Sequence, residues 1–167
     1  MSIKPKVPSY WMGLALKEAH KAKIKGEVPV GAIVVKDGKV VGRGFNLRES
    51  QNNPILHAEL IAIQKAALKL KSWRLVECDL YVTLEPCLMC SGAIIQSRLR
   101  HIYIATEDPK AGACCSLYQV FNDTRFNHQP KWETGLLKEE SSALLKTFFK
   151  GLRDRNKKKK GLHQPSS

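Results

Sequence analysis

The sequence predicts an α/β domain: a sheet of about five strands with helices on both faces. Three patterns predict it. Two apolar, β-branched runs flank Asp37-Gly38, a strand–helix–strand pattern occupies residues 80–105, and the C-terminal region carries an apolar stripe at helical spacing.

In order along the chain, Ser9 is the expected N-cap of a first helix. Trp11, Leu14, Ala15, Ala19 and Ala22 recur within it at helical spacing, and Gly26 ends it. Val28–Val35 reads as a strand. Lys36-Asp37-Gly38-Lys39 reads as a turn and Val40–Phe45 as the returning strand, because Asp-Gly supplies the positive φ angles that a two-residue hairpin needs. Residues 46–56 are polar and contain Pro54, so they form a loop. A second helix is expected from His57 to Leu70, with Leu60, Ile61, Gln64, Ala67 and Leu68 on its apolar face. Leu80, Val82 and Leu84 alternate with Tyr81 and Thr83, a strand period. Pro86 then opens a helix of about eleven residues near Cys87, and His101–Ala105 returns as a strand parallel to the previous one. Residues 106–130 are rich in Gly, Asn, Asp and Pro and show no period, and Lys131–Thr134 reads as a last strand. The final helix buries Leu137, Leu144, Leu145, Phe148, Phe149 and Leu152 in one stripe. The expected organisation is a flexible leader over 1–8, a folded domain over 9–152 and a basic, disordered tail over 153–167.

Composition limits the function. The 167 residues are 43% hydrophobic and 26% charged, a globular profile. The N-terminus has basic residues with no apolar run behind them, so no secretory signal is read and the cytoplasm is the expected compartment. Five cysteines are an odd number without disulfide-like spacing. Cys78, Cys114 and Cys115 read as buried small residues. The formal net charge of +13 exceeds what solubility requires. Seven Lys/Arg against one Asp fall between Lys150 and Lys160, and Lys17, Lys21, Lys23 and Lys25 form a second cluster. Such charge favours a polyanionic partner through counterion release, although the Lys157–Lys160 run alone equally suits a solvated tail.

Two short segments carry the chemistry: His57-Ala58-Glu59 and Glu85-Pro86-Cys87-Leu88-Met89-Cys90. Each falls where a loop or strand gives way to a helix. Cysteines three apart in a first helical turn project to nearly the same side, and the positive helix end favours thiolate. A Cys-x-x-Cys alone also describes a redox pair or half of a structural zinc site. Joined by one imidazole it gives three zinc ligands and leaves the fourth position to water, the arrangement of a catalytic site. The order His-x-Glu followed by Pro-Cys-x-x-Cys is the signature of zinc deaminases. Glu59, beside the metal but not bound to it, is then the candidate proton carrier.

Four segments, Gly26–Ala32, His57–Glu59, Thr83–Ala93 and Gly112–Leu117, resemble the bacterial tRNA adenosine deaminases, and the similarity runs from about Tyr10 to Leu152. The resemblance implies the cytidine deaminase-like fold, a three-layer α/β/α sandwich, in a homodimer with one zinc per subunit. It implies hydrolysis of adenosine to inosine at the wobble position of a tRNA anticodon. Carried over by position, His57, Cys87 and Cys90 are the zinc ligands and Glu59 the proton shuttle. Asn46 hydrogen-bonds the flipped base, with Pro29, Val30 and Ala58 around it. Phe149, Lys150 and Arg153 grip the anticodon stem-loop. Two positions depart from the family pattern: Lys150 stands where arginine is usual, and Cys115 where glycine is. Guanine, cytosine and riboflavin-precursor deaminases share the zinc motif, so the motif does not choose the substrate. A small-molecule base deaminase and a non-catalytic, zinc-containing tRNA-binding module are the competing readings. The charge favours tRNA.

Overall fold

The computed structural model describes residues 7–161. Its elements are α1 (Pro8–Ile24), β1 (Gly31–Lys36), β2 (Lys39–Phe45), α2 (Ala58–Leu70), β3 (Asp79–Leu84), α3 (Leu88–Gln96), β4 (His101–Thr106), β5 (Lys131–Thr134) and α4 (Lys138–Gly161), with a single 3-10 turn at Val120–Asn122. The five strands form one mixed sheet in the order β2-β1-β3-β4-β5. β1 is antiparallel to both neighbours, while β3, β4 and β5 run parallel.

The hairpin forms as its dipeptide predicts. Asp37 and Gly38 have φ angles of 48° and 68°, and Lys36 pairs with Lys39 across them. The β3–α3–β4 crossover is also as expected, although α3 is nine residues long. β3 is buried on both faces from Leu80 to Thr83, since it lies at the centre of the sheet.

Each face of the sheet has its own core. On one, Trp11, Met12 and Ala15 of α1 pack with Ile33, Val35, Tyr81 and Ala105. α4 joins this layer, where Ser141 donates a hydrogen bond of 2.5 Å to the Thr83 carbonyl. On the other face α2 and α3 cover Ala32, Val34, Leu80, Val82, Ile102 and Ile104. The sum is the expected three-layer α/β/α sandwich.

Three expectations need correction. α1 begins at Pro8 with Val7 as N-cap, so Ser9 lies inside the helix; proline suits the first helical position because its missing N–H would have no partner there. The buried stripe of α2 is Ala58, Ala62 and Ala66 with Glu59, Ile61 and Ile63, whereas Gln64 is exposed and Leu68 is 72% exposed. The cause is close approach. A Cβ on Gly42 would sit 2.1 Å from the Ala62 carbonyl oxygen, and one on Gly44 2.2 Å from that of Ala58. Only small residues fit on either side of that contact. Finally, residues 153–161, expected as a disordered tail, continue α4 to Gly161. Lys and Arg are good helix formers, and a basic last turn complements the negative helix end. Residues 1–6 of the expected leader and 162–167 of the expected tail lie outside the described residues.

The start of β1 and the ends of β2, β3 and β4 lie at the same end of the sheet, because β1 runs against its neighbours. Residues 28–30, 46, 84–87 and 107–111 therefore converge.

Candidate active site

His57 is the N-cap of α2 and Cys87 the N-cap of α3, and neither side chain caps its own helix. Both are thereby free to point into the space between the two helix starts. Cys90, in the first turn of α3, is fully buried behind them. The His57 Nδ1 lies 3.7 Å from Cys87 Sγ and 3.5 Å from Cys90 Sγ. With zinc bonds of about 2.3 Å to sulfur and about 2.0–2.1 Å to nitrogen, the nitrogen–sulfur edge of a tetrahedron is about 3.6 Å. The donor set and its spacing therefore fit a zinc ion. Among the described residues, this trio is the one group of three His, Cys, Asp or Glu side chains whose donor atoms gather closely enough to hold a metal.

The electrostatics suit the same occupant. Hydrogen bonding to Cys90 and His57 holds the Cys87 thiol well below its usual range, at about 4 despite its partial burial, while the bond to Cys87 raises the His57 imidazole. The Cys90 thiol is pushed up by its bond to Cys87 and by burial, so of the pair Cys87 is the one held as thiolate, and the positive end of α3 favours that form. Glu59, in the first turn of α2, is 4% exposed, and burial pushes its carboxyl up to about 7.

A cavity of about 190 Å³ opens onto this corner. His57, Glu59 and Cys87 line it, together with the expected base contacts Val30, Asn46 and Ala58. Pro29 is buried but does not line the cavity, and Cys90 is covered by its neighbours. The Asn46 side chain is partly engaged by its own loop: Oδ1 accepts from the Arg48 amide at 3.2 Å, and Nδ2 donates to the Val28 carbonyl at 3.4 Å. Val28, Arg48, Leu84, Glu85, Asp108 and Ala111 also line the cavity and were not singled out as site residues from the sequence. Arg48 belongs to a loop without periodicity, and Asp108 and Ala111 to the unassigned 106–130 stretch.

Glu85 is held differently from Glu59. It is 3% exposed, and burial alone would raise its carboxyl. The Ser116 hydroxyl and the amides of Asp108, Cys115 and Ser116 outweigh burial and hold the carboxyl down at about 2. Cys78 and Cys114 are buried as expected, whereas Cys115 is partly exposed.

A larger groove of about 560 Å³ adjoins the cavity and shares Val28, Leu84 and Asp108 with it. Its far wall is α4, through Leu145, Lys146, Phe149 and Arg153, and Lys110 faces them. Phe149 is 40% exposed on this wall, so the expected apolar stripe of α4 is only partly buried, chiefly at Leu144 and Phe148. Lys150 is exposed and lies outside the groove lining. No described helix is long and apolar enough to cross a membrane.

Residues 5–106 match the cytidine and deoxycytidylate deaminase zinc-binding region. A tRNA-specific adenosine deaminase from Streptococcus pyogenes serotype M18 is 45% identical over 149 residues, which are 89% of this chain and 94% of its own. The tRNA-specific adenosine deaminase of Bacillus subtilis is also 45% identical, over 88% of this chain and 91% of its own. Among solved structures, one from work on A-to-I editing by tRNA:A34 deaminases at the wobble position superposes with a TM-score of 0.79. It is 42% identical, and the match covers 82% of this chain and 99% of that one. A guanine deaminase from Nitrosomonas europaea shares the fold at 24% identity, with a TM-score of 0.74 over 85% of this chain and 84% of its own.

Proposed function

This chain belongs to the cytidine and deoxycytidylate deaminase family and, within it, to the tRNA-specific adenosine deaminases, and from that premise we propose that it hydrolyses adenosine to inosine at the wobble position of a tRNA anticodon. The observation that carries the reading is the juxtaposition of a three-donor zinc corner with a buried, unligated carboxylate, at the head of a groove walled by Lys110, Lys146 and Arg153.

His57, Cys87 and Cys90 hold the zinc. Bound there, zinc supplies the Lewis acidity that lets a water ionise near neutral pH. Glu59 would carry the attacking water's two protons one after the other, the first to the ring nitrogen and the second to the departing amine. The water oxygen becomes bonded to C6, the C6–N bond breaks, and ammonia leaves. Val30, Ala58 and Asn46 contact the base, and Pro29 backs that wall from beneath. A single-stranded loop presents such a base at low cost, because its bases can be splayed out without breaking a duplex. Phe149, Lys150 and Arg153 contact the anticodon stem-loop, where an exposed aromatic and cations serve stacking and phosphate binding. The domain division at residues 9–152, the homodimer and the cytoplasmic location belong to the same reading. A small-molecule base deaminase would leave the cationic groove without a purpose.

The test is incubation of the zinc-loaded protein with total tRNA, followed by mapping of inosine. Inosine at the first anticodon position is expected. Glu59→Ala should abolish its formation while zinc content and tRNA binding persist. If the unaltered protein forms no inosine, the reading fails and the non-catalytic binding module replaces it.

A further inference from the structure

Residues 108–116 wall one side of the catalytic cavity through Asp108 and Ala111, yet they contain no helix or strand. A single carboxylate gathers them. Oε2 of Glu85 accepts from the Asp108 amide at 2.9 Å and from the Ser116 hydroxyl. Its Oε1 accepts from the amides of Cys114, Cys115 and Ser116 at 2.9, 2.8 and 3.0 Å. Gly112 closes over the carboxylate, and a Cβ there would lie 2.3 Å from the Glu85 carboxyl carbon. The loop is also tied to the next residue along, since the Ala113 amide donates to the Pro86 carbonyl at 2.9 Å.

The position of Glu85 gives this arrangement its meaning. It stands at the end of β3, two residues before Cys87 and outside the metal-donor trio. The same three-residue connection, Glu85 to Cys87, thus carries a zinc donor at one end and the anchor of the cavity wall at the other. The loop keeps its own internal bonds, from the Gly112 amide to the Asp108 carbonyl and from the Leu117 amide to the Gly112 carbonyl. Without Glu85 it would stay compact but lose its fixed place relative to the metal corner.

We propose that Glu85 is a positioning residue for the deamination: its carboxylate clamps the 108–116 loop to the turn bearing Cys87 and so fixes the gap between the Asp108–Ala111 wall and the zinc corner. The inference rests on the deaminase reading for its chemistry, but the clamp itself can be tested without it. The wall orients the base, whereas α4 grips the RNA outside the cavity. Lys110 moves with the loop, but Lys146, Phe149 and Arg153 stay on α4, so loosening the clamp slows the chemical step far more than it weakens affinity, and misplacement of about 1 Å at a reacting centre costs on the order of 100-fold.

The experiment compares zinc-loaded, full-length protein with Glu85→Gln and Gly112→Ala. Glutamine presents N–H groups to a ring of donors, and alanine forces the loop off the carboxylate while leaving its charge intact. Four quantities are read: amide hydrogen exchange over 108–116, zinc per chain, tRNA dissociation constant and single-turnover rate of inosine formation. Exchange at Asp108, Cys114, Cys115 and Ser116 should quicken about 10-fold or more. The single-turnover rate should fall about 10- to 100-fold, with zinc near one per chain and tRNA affinity within about twofold. Unchanged exchange or an unchanged rate overturns the proposal. Zinc loss in proportion to activity also overturns it, since Glu85 would then support the metal site and not the wall. Should neither variant accumulate folded, Ser116→Ala removes one donor of the five, and it must show a smaller slowing in the same direction or the proposal fails. If the unaltered protein makes no inosine, the functional reading falls, while the exchange data still decide whether the clamp exists.

Discussion

The zinc corner and the far end of α4 are built on opposite physical terms. At the corner, Cys90 and Glu59 are withdrawn from water and both nitrogen–sulfur distances lie within a few tenths of an ångström of a tetrahedral edge. Along α4 from Phe149 to Lys160 every residue is exposed, and Asp154 is the lone acid among seven Lys/Arg between Lys150 and Lys160. Buried chemistry depends on each atom; exposed charge works by number and is screened within about 8–10 Å at ordinary ionic strength. The difference teaches that catalysis and affinity are separable in this chain, and that substitutions in the two regions should fail differently.

The sharpest separation comes from the metal. Cys87→Ala or Cys90→Ala should leave fewer than three donors, release zinc and bring inosine formation to background, with tRNA binding at low salt largely retained. Metal analysis and filter binding on the same preparation check it, and parallel loss of binding would break the comparison. On the other side, Lys150→Ala and Arg153→Ala should weaken tRNA binding while the rate at saturating tRNA stays close to normal. Each phosphate contact removed should reduce the salt slope of log affinity by about 1, which titration at several salt concentrations measures. An unchanged slope would detach α4 from the RNA.

The smallest effect lies at the seam between the regions. Glu107 accepts from Lys138, the first residue of α4, at 2.7 Å and from Thr134 at 2.7 Å. The Lys138 ammonium foremost, then the Thr134 hydroxyl, hold the Glu107 carboxyl below its ordinary 4.5. A carboxyl with a lowered folded value contributes stability that is present above about 4.5 and lost as pH falls through that lower value. Glu107→Gln should therefore melt slightly earlier than the unaltered chain at pH 6, and the gap should close as the medium is acidified below 4.5. Exposed pairs of this kind contribute little, so a gap of more than a few degrees would mean the seam matters more than its geometry suggests.

How far each region was legible follows from what organises it. The donor trio was legible because metal chemistry admits few residue types and because both motifs begin helices. The hairpin was legible because Asp37-Gly38 requires a left-handed turn. The buried face of α2 was misread because apolarity weights Leu68 over Ala62, whereas the strand beneath selects for smallness. Within the 106–130 stretch, residues 108–116 show no period because their order comes largely from Glu85, more than twenty positions upstream in the chain, through side-chain-to-backbone bonds. The end of α4 was misread because a charge run suits a solvated helix as well as a disordered tail.

The glycine-to-alanine contact between β2 and α2 has a bearing on metal fidelity. His57 rides at the head of α2, so the thickness of the layer beneath that helix calibrates where the imidazole nitrogen stands relative to two sulfurs anchored on a different helix. Adding one methyl group at Gly42 or Gly44 would act like a shim under a lens mount, leaving every donor in place chemically and putting the set out of focus for a small tetrahedral ion.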